Sequence, residues 1–481
     1  MGMMHGVFYA VFVFNILTAF TVIFIEKRNV AVTWAWLMVM LFLPIIGFII
    51  YLIFGQSVRR LKIYKVKQDR KAFIDALVER QRHDLIHNRI DYHDPAMANY
   101  RDLLYMNLVS NYAIFTQDNA IEIFTDGESK FHSLLEAIKA AKDHIHLQYF
   151  IVRNDNLGRA LVAALTQKAQ EGVTVRFLYD DFGSFWLPKR FFNGLRKAGG
   201  EVAAFFPSRL PYLSIRINYR NHRKLAIIDG RYGYIGGFNI GDEYLGRKKR
   251  FGRWRDTHLK MTGSSIIELQ AHFVLDWNAA SRKQIPVEAR YFPLENHRGD
   301  VGIQIISSGP NSAWEQIKNA YIKMIHAAKE SVCIQTPYFV PDESLMTALK
   351  TAALSGVDVK LMLPFKPDHK LVYWASTFYL GELLHVGVKC YLYEAGFLHA
   401  KTIVVDGKIA SVGTANIDMR SFKLNFEVNA LIYDTFTATK LYNIFVEDLL
   451  CSRELTLAEY ERRSRLTQVK EACARLLSPI L

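Results

Sequence analysis

Two histidines in this chain are followed by the same residue types at the same distances. His222-Arg223-Lys224-Leu225-Ala226-Ile227-Ile228-Asp229 returns as His399-Ala400-Lys401-Thr402-Ile403-Val404-Val405-Asp406, and Asn239 and Asn416 stand equally far beyond each histidine. With 15 histidines in the chain, chance supplies on the order of a few hundredths of one such match. Two matches that share a downstream asparagine imply two half-sites.

The residue types suit displacement at a phosphodiester. A neutral imidazole can attack phosphorus, and a protonated one can return its proton to a departing alkoxide. Lys224, Lys401, Asn239 and Asn416 would hold the nonbridging oxygens where charge builds. This set requires no metal and no cofactor.

An imidazole nucleophile also needs its second nitrogen held by a carboxylate, which fixes the tautomer and stabilises the charged form. Glu427, in Leu424-Asn425-Phe426-Glu427-Val428, lies on an apolar strand after the second motif, and Asp256, in Trp254-Arg255-Asp256-Thr257-His258, holds the corresponding place after the first. From spacing alone a solvated edge residue fits each position as well; recurrence in both copies favours support. Asp229 and Asp406 complete the two motifs and belong to the candidate catalytic set. They lie an odd number of residues from their histidines, in Asp-Gly turn dipeptides, so the pattern casts them as fold-holding.

The elements around the motifs are duplicated too. Ala140 to Gln148 aligns with Ala327 to Gln335, and Glu171 to Arg176 with Ser355 to Lys360. Each copy reads as helix (Phe131 to Lys142; Trp314 to Lys329), strand (His144 to Val152; Val332 to Tyr338), helix (Leu157 to Glu171; Ser344 to Ser355) and strand (Val173 to Tyr179; Val357 to Leu363). Alternating helices and β-branched strands predict α/β layers, with each half its own sandwich and each His and Lys on one face of a motif strand. His144 and His146 read as core residues. Tyr149, Tyr338, Asp180 and Asp181 fall near strand ends, where they could line the site.

Composition adds the setting. The 481 residues carry a net charge of +14, which points to polyanions: nucleic acid or an anionic membrane surface. Cys333, Cys390, Cys451 and Cys473 are scattered and indicate neither a disulfide framework nor a zinc site. Val7 to Ile25 and Val30 to Phe54 are apolar stretches long enough to span a bilayer, joined only by Glu26-Lys27-Arg28-Asn29. Two basic residues in that loop against Arg59, Arg60, Lys62, Lys65 and Lys67 after it predict both termini and the catalytic bulk on the cytoplasmic side. The tail from Ala458 has Leu466, Val469, Cys473, Leu476 and Ile480 at helical spacing among basic residues; it fits a membrane surface or its own domain equally.

The paired motifs, with Gly236-Gly237-Phe238-Asn239 and Gly413-Thr414-Ala415-Asn416-Ile417-Asp418-Met419-Arg420-Ser421, resemble the phospholipase D superfamily. The apolar hairpin with Trp34-Ala35-Trp36-Leu37, and Thr336-Pro337-Tyr338-Phe339, make the chain similar to bacterial cardiolipin synthases within it. The resemblance implies an α/β fold of two tandem phospholipase D-like α/β/α sandwich domains related by a pseudo-twofold axis, behind a two-helix transmembrane hairpin. The expected divisions are 1–55 (hairpin), 56–110 (juxtamembrane connector), 111–295 (first motif domain) and 296–481 (second motif domain with the tail). It implies transfer of a phosphatidyl group between two phosphatidylglycerol molecules, giving cardiolipin and glycerol through a phosphohistidine, in a bacterial plasma membrane with no nucleic acid partner. By likeness to superfamily members, His222 is expected to attack and His399 to act as acid and then base, with Glu427 and Asp256 supporting them. Two other classes fit the residues: a hydrolase that uses water as acceptor, and a membrane-anchored polyanion-binding protein without turnover.

Overall fold

The computed structural model describes residues 13–14, 16–17, 20, 30–43, 45–47, 51, 64, 68–207, 218–286, 288–293, 299–312 and 314–478. Of the two apolar spans, most of the first lies outside these residues. The second is helical over Val30–Phe42, and no helix among the described residues is long and apolar enough to cross a membrane.

The first half contains β1 (Thr116–Phe124), β2 (His144–Tyr149), β3 (Thr174–Asp180), β4 (Glu201–Phe205), β5 (Arg220–Asn221), β6 (Leu225–Ile228), β7 (Tyr232–Gly236), β8 (Arg253–Arg255) and β9 (His258–Thr262). The second contains β10 (Val301–Ser308), β11 (Ser331–Gln335), β12 (Phe339–Val340), β13 (Asp358–Pro364), β14 (Lys389–Tyr393), β15 (Gly396–Leu398), β16 (Thr402–Val405), β17 (Ile409–Gly413), β18 (Ile417–Asp418), β19 (Asn425–Tyr433) and β20 (Ser452–Leu455). Strand order in the first half is β1-β9-β7-β6-β2-β3-β4, and in the second β10-β19-β17-β16-β11-β13-β14, with β20 added at the end. Position for position these are the same sheet. β2 and β3 pair in parallel, as do β11 and β13, because helices Asn156–Gln170 and Glu343–Leu354 carry the chain across between them, and β4 and β14 add in parallel after helices Asn193–Lys197 and Lys370–Leu384. Asp155 and Asp342 cap those helices by accepting from Gly158 N and Leu345 N.

The two tandem α/β units expected from the repeat are present, but their sheets are not separate. β1 pairs antiparallel with β10, so the two sheets join along like edges into one continuous sheet. Each half alone would leave that edge strand with unpaired backbone groups, and pairing it with its counterpart removes both edges at once. One core cluster accordingly mixes the halves, with Leu225, Ile235 and Leu259 packed among Ile303, Val404 and Phe426.

The connector does more than join. Helices Gln68–Ile86 and Arg101–Asn111 bury Leu85, Leu103, Leu104 and Leu108 against Tyr321 and Met324 of the second half. The tail helix Arg465–Leu476 lies along helix Lys370–Leu384, with Glu471 and Ala474 buried and Glu471 accepting from Arg463 Nε at 2.7 Å. Its apolar stripe, Leu466, Val469 and Leu476, faces outward.

Candidate active site

The motif residues do not lie on one continuous strand, as the alternation suggests. His222 to Lys224 occupies the gap between β5 and β6, and His399 to Lys401 the gap between β15 and β16. The reason is a change of partner. β6 and β16 belong to their own half, but β5 pairs in parallel with β19 of the second half and β15 with β8 of the first. His222 N donates to Phe426 O at 3.0 Å and His399 N to Arg255 O at 2.7 Å. Each histidine is thereby delivered beside the carboxylate of the opposite half.

The side chains complete that exchange. His222 Nδ1 donates to Glu427 Oε1 at 2.8 Å, and His399 Nδ1 to Asp256 Oδ2 at 2.6 Å. Glu427 and Asp256 are fully buried, Lys224 and Lys401 nearly so, and the two imidazoles are 8% exposed, so the rings are what a ligand meets first. Lys224 Nζ donates to His222 O at 2.6 Å; Lys401 Nζ donates to His399 O and lies 3.0 Å from His399 Nδ1.

Electrostatics ties the halves together. Burial pushes His222 down to about 4 against the opposing pull of Glu427, with Lys224 and Lys401 both adding to the depression. His399 is lowered by burial and by Lys401 and Lys224, against Asp256. Burial alone would raise Glu427, but the charge and hydrogen bond of His222 outweigh it and hold the carboxylate below its usual range. The pair therefore rests as neutral imidazole and ionised carboxylate, with Nδ1–H donating and the Nε2 lone pair free. Lys401 is lowered to about 8 and Lys224 well below its ordinary value, both chiefly by burial.

The asparagines sit on the same turns but differ in their bonds. Asn239 Oδ1 accepts from Ile151 N at 3.1 Å and its amide donates toward Tyr244 OH at 3.3 Å, whereas Asn416 is buried beside Asp418. The sequence difference Gly237 against Thr414 also has a geometric cause. Thr414 Oγ1 donates to Glu427 Oε2 at 2.5 Å, while a Cβ at Gly237 would stand 2.0 Å from Asp256 Oδ1. The shorter aspartate sits where the second half places its hydroxyl.

Asp229 and Asp406, counted in the candidate catalytic set, are placed elsewhere in role. Asp229 accepts from the backbone of Lys142, Asp143 and His144, and Asp406 from Lys329, Glu330 and Ser331, each at 2.8–2.9 Å. Both take positive φ at the turn. They lock the turn after the motif strand to the start of β2 or β11 and make no hydrogen bond to His222 or His399.

A family described as "Cardiolipin synthase, PLD-like domain" matches residues 134–250 and 321–449, and the segment described as "Phospholipase_D-nuclease N-terminal" matches 13–56. The chain is 54% identical over 471 residues to the major cardiolipin synthase of Bacillus subtilis (strain 168), covering 98% of each chain. It is 52% identical to the cardiolipin synthase of Listeria innocua serovar 6a, covering 100% of both. The chain belongs to the cardiolipin synthase family of phospholipase D-like proteins. The crystal structure of phosphatidylserine synthase from Haemophilus influenzae Rd KW20 shares the fold of this cardiolipin synthase family member, with a TM-score of 0.61 at 14% identity over 79% of this chain and 100% of that one.

The family resemblance and the spacing together missed the bracing behind the carboxylates. Arg223 Nε donates to Glu427 O at 3.2 Å and its Nη1 pairs with Asp276 at 2.8 Å; Arg255 Nη1 donates to Asp256 O and its Nη2 pairs with Asp448 at 2.8 Å. Gln148 and Gln335, at the ends of the duplicated strands, donate to Asp276 at 2.6 Å and Asp448 at 2.7 Å. Their recurrence in the aligned segments was the available signal. Asp180 accepts from Asn221 N at 2.9 Å, beside His222, and burial raises it to about 6. Tyr149 does not line the site: it is buried and accepts from Lys130 Nζ at 2.9 Å. His144 and His146 are fully buried, as core residues should be.

Proposed function

We propose that this chain transfers a phosphatidyl group from one phosphatidylglycerol to another, forming cardiolipin and glycerol. The observation that carries the reading is the crossed pair of histidine–carboxylate bonds, which gives one site two imidazoles held in the same tautomer. The names of relatives that align end to end supply the substrate class.

The steps follow from the protonation states. His222 Nε2 attacks phosphorus, the P–O bond to the glycerol headgroup breaks, and His399 gives its Nε2 proton to the departing alkoxide. A hydroxyl of the second phosphatidylglycerol, deprotonated by His399, then attacks the phosphohistidine and releases His222. Glu427 and Asp256 stabilise the charge on each ring as it forms. Lys224, Lys401, Asn239 and Asn416 hold the nonbridging oxygens; two lysine charges balance two carboxylates, so an arriving phosphodiester anion favours a protonated His399.

The apolar stretches Val7 to Ile25 and Val30 to Phe54 anchor the enzyme in the bacterial plasma membrane, with the catalytic halves on the cytoplasmic face. The full chain incubated with phosphatidylglycerol alone should yield cardiolipin plus glycerol. Phosphatidic acid in their place means hydrolysis, and unchanged lipid means no turnover.

A further inference from the structure

Two surface loops beside the site are not used by the chemistry above. The loop after β3 exposes Phe182, Phe185 and Trp186 by 52, 55 and 80%, with the last two rings in edge contact at 5.3 Å, and Lys189 and Arg190 exposed just beyond. The loop before β8 exposes Arg247, Lys248, Lys249 and Arg250, and Arg253 is exposed at the first position of β8. Arg247 and Lys248 have acidic neighbours in Glu128 and Glu243, which leaves cations in excess. A cleft of about 640 Å³ sets the two loops side by side, lined by Trp186, Arg153, Arg247 and Lys248 and also by Asp155 and Asp242, whose carboxylates accept backbone N–H groups.

Both loops are fastened to the catalytic rings. Asp180 accepts from Phe182 N and Gly183 N at 3.1 and 2.9 Å, and Ser184 Oγ donates to Phe150 O at 3.2 Å; the Phe150 ring lies 4.8 Å from His222. In the basic loop, Phe251 packs on Trp254 at 5.3 Å and on Phe397 at 5.5 Å, and Trp254 lies 5.2 Å from His399. A pinned loop that still turns three large aromatics to water is built for a second phase. Rings at headgroup depth beside cations on phosphate are the composition of a bilayer interface.

We propose that these two loops are the surface on which the catalytic body rests on an anionic bilayer, with Phe182, Phe185 and Trp186 at headgroup level and the cations from Arg247 to Arg253 on lipid phosphates. The proposal rests on the reading that the substrate is a bilayer phospholipid. Contact there turns both histidine rings toward the layer that holds the substrate.

The test uses the full chain reconstituted in vesicles of phosphatidylglycerol and acyl-brominated phosphatidylcholine, where bromine quenches indole emission. W186F should lose a quenched component that the wild type shows, and R247E/K249E should reduce that component at low salt. F185A/W186A should raise the apparent KM for vesicle phosphatidylglycerol about fivefold or more while leaving kcat/KM for a short-chain, monomeric phosphatidylglycerol within about twofold. Equal quenching in wild type and W186F overturns the proposal, as does a KM shift of the same size on both substrate forms. So does loss of single-stranded DNA binding in R247E/K249E with quenching unchanged, which would make the polyanion a nucleic acid. Wild type inactive on both lipid forms would instead sink the functional reading, and the quenching result stands apart from it.

Discussion

His222, from the first repeat, donates its Nδ1 hydrogen to Glu427, from the second, at 2.8 Å. The partner contact, His399 to Asp256, runs the opposite way at 2.6 Å. Neither motif histidine is supported by the carboxylate of its own half, so the duplication joins two half-sites by exchange. In the proposed transfer the two rings serve attack and leaving-group protonation, which occur on opposite sides of one phosphorus.

Replacing either His222 or His399 by Ala should abolish turnover, measured as cardiolipin formed from labelled phosphatidylglycerol. Because the exchange occurs within one chain, mixing H222A with H399A should restore nothing. Half the activity left in either variant would rule out a shared site.

E427Q and D256N remove the acceptor that holds each ring. Each should lower kcat about 10³- to 10⁴-fold, the scale of losing the carboxylate that orients a catalytic imidazole. K224A or K401A should cost about 10²- to 10³-fold or more, as for a main stabiliser of transition-state charge. Circular dichroism distinguishes these from unfolding.

The pH profile has a defined sign. His222 must be neutral to attack, and its value of about 4 places the acid limb of kcat/KM there, with activity lost below it. His399 must carry its Nε2 proton to act as the acid, and burial with Lys401 and Lys224 lowers it, so kcat/KM falls as pH rises through that lowered value; Lys401 must be charged, so a further loss follows as pH rises through about 8. A bound phosphodiester favours the ammonium form, and the basic limb of kcat should lie above that of kcat/KM. A further loss near 8 that stays unchanged in K401R would count against the lysine assignment.

D229N and D406N should act on stability. Each carboxylate accepts three backbone N–H groups, and its neutralisation should cost about 2 kcal/mol, with Tm lowered by a few degrees and kcat of the folded fraction retained. An activity loss as deep as that of K224A, at unchanged Tm, would return these residues to the chemistry.

G237A should be worse than T414S. The added Cβ meets Asp256 Oδ1 at 2.0 Å and displaces the carboxylate that holds His399, whereas serine keeps the hydroxyl on Glu427. The two variants assayed side by side check this.

Local pattern determined a great deal about this protein. Helix and strand periodicity located the duplicated elements to within a few residues, since burial of one face imposes the 3.6 and 2.0 repeats on the sequence itself. The odd offset and the Asp-Gly turn cast Asp229 and Asp406 as fold-holding, but the backbone N–H groups that satisfy them lie 75 to 87 residues away and are brought to them by the sheet. Recurrence of a carboxylate in both copies, together with the family resemblance, marked Glu427 and Asp256 as partners of imidazoles. Which carboxylate serves which histidine was decided only by tertiary structure: β5 and β15 leave their own sheet to pair with β19 and β8, more than a hundred residues away in sequence. The continuous sheet, the arginine braces on Glu427 O and Asp256 O, and the outward turn of the tail's apolar stripe have the same origin. Pairing of edges and satisfaction of buried charge depend on what arrives from the other half, and no local window of the chain records that.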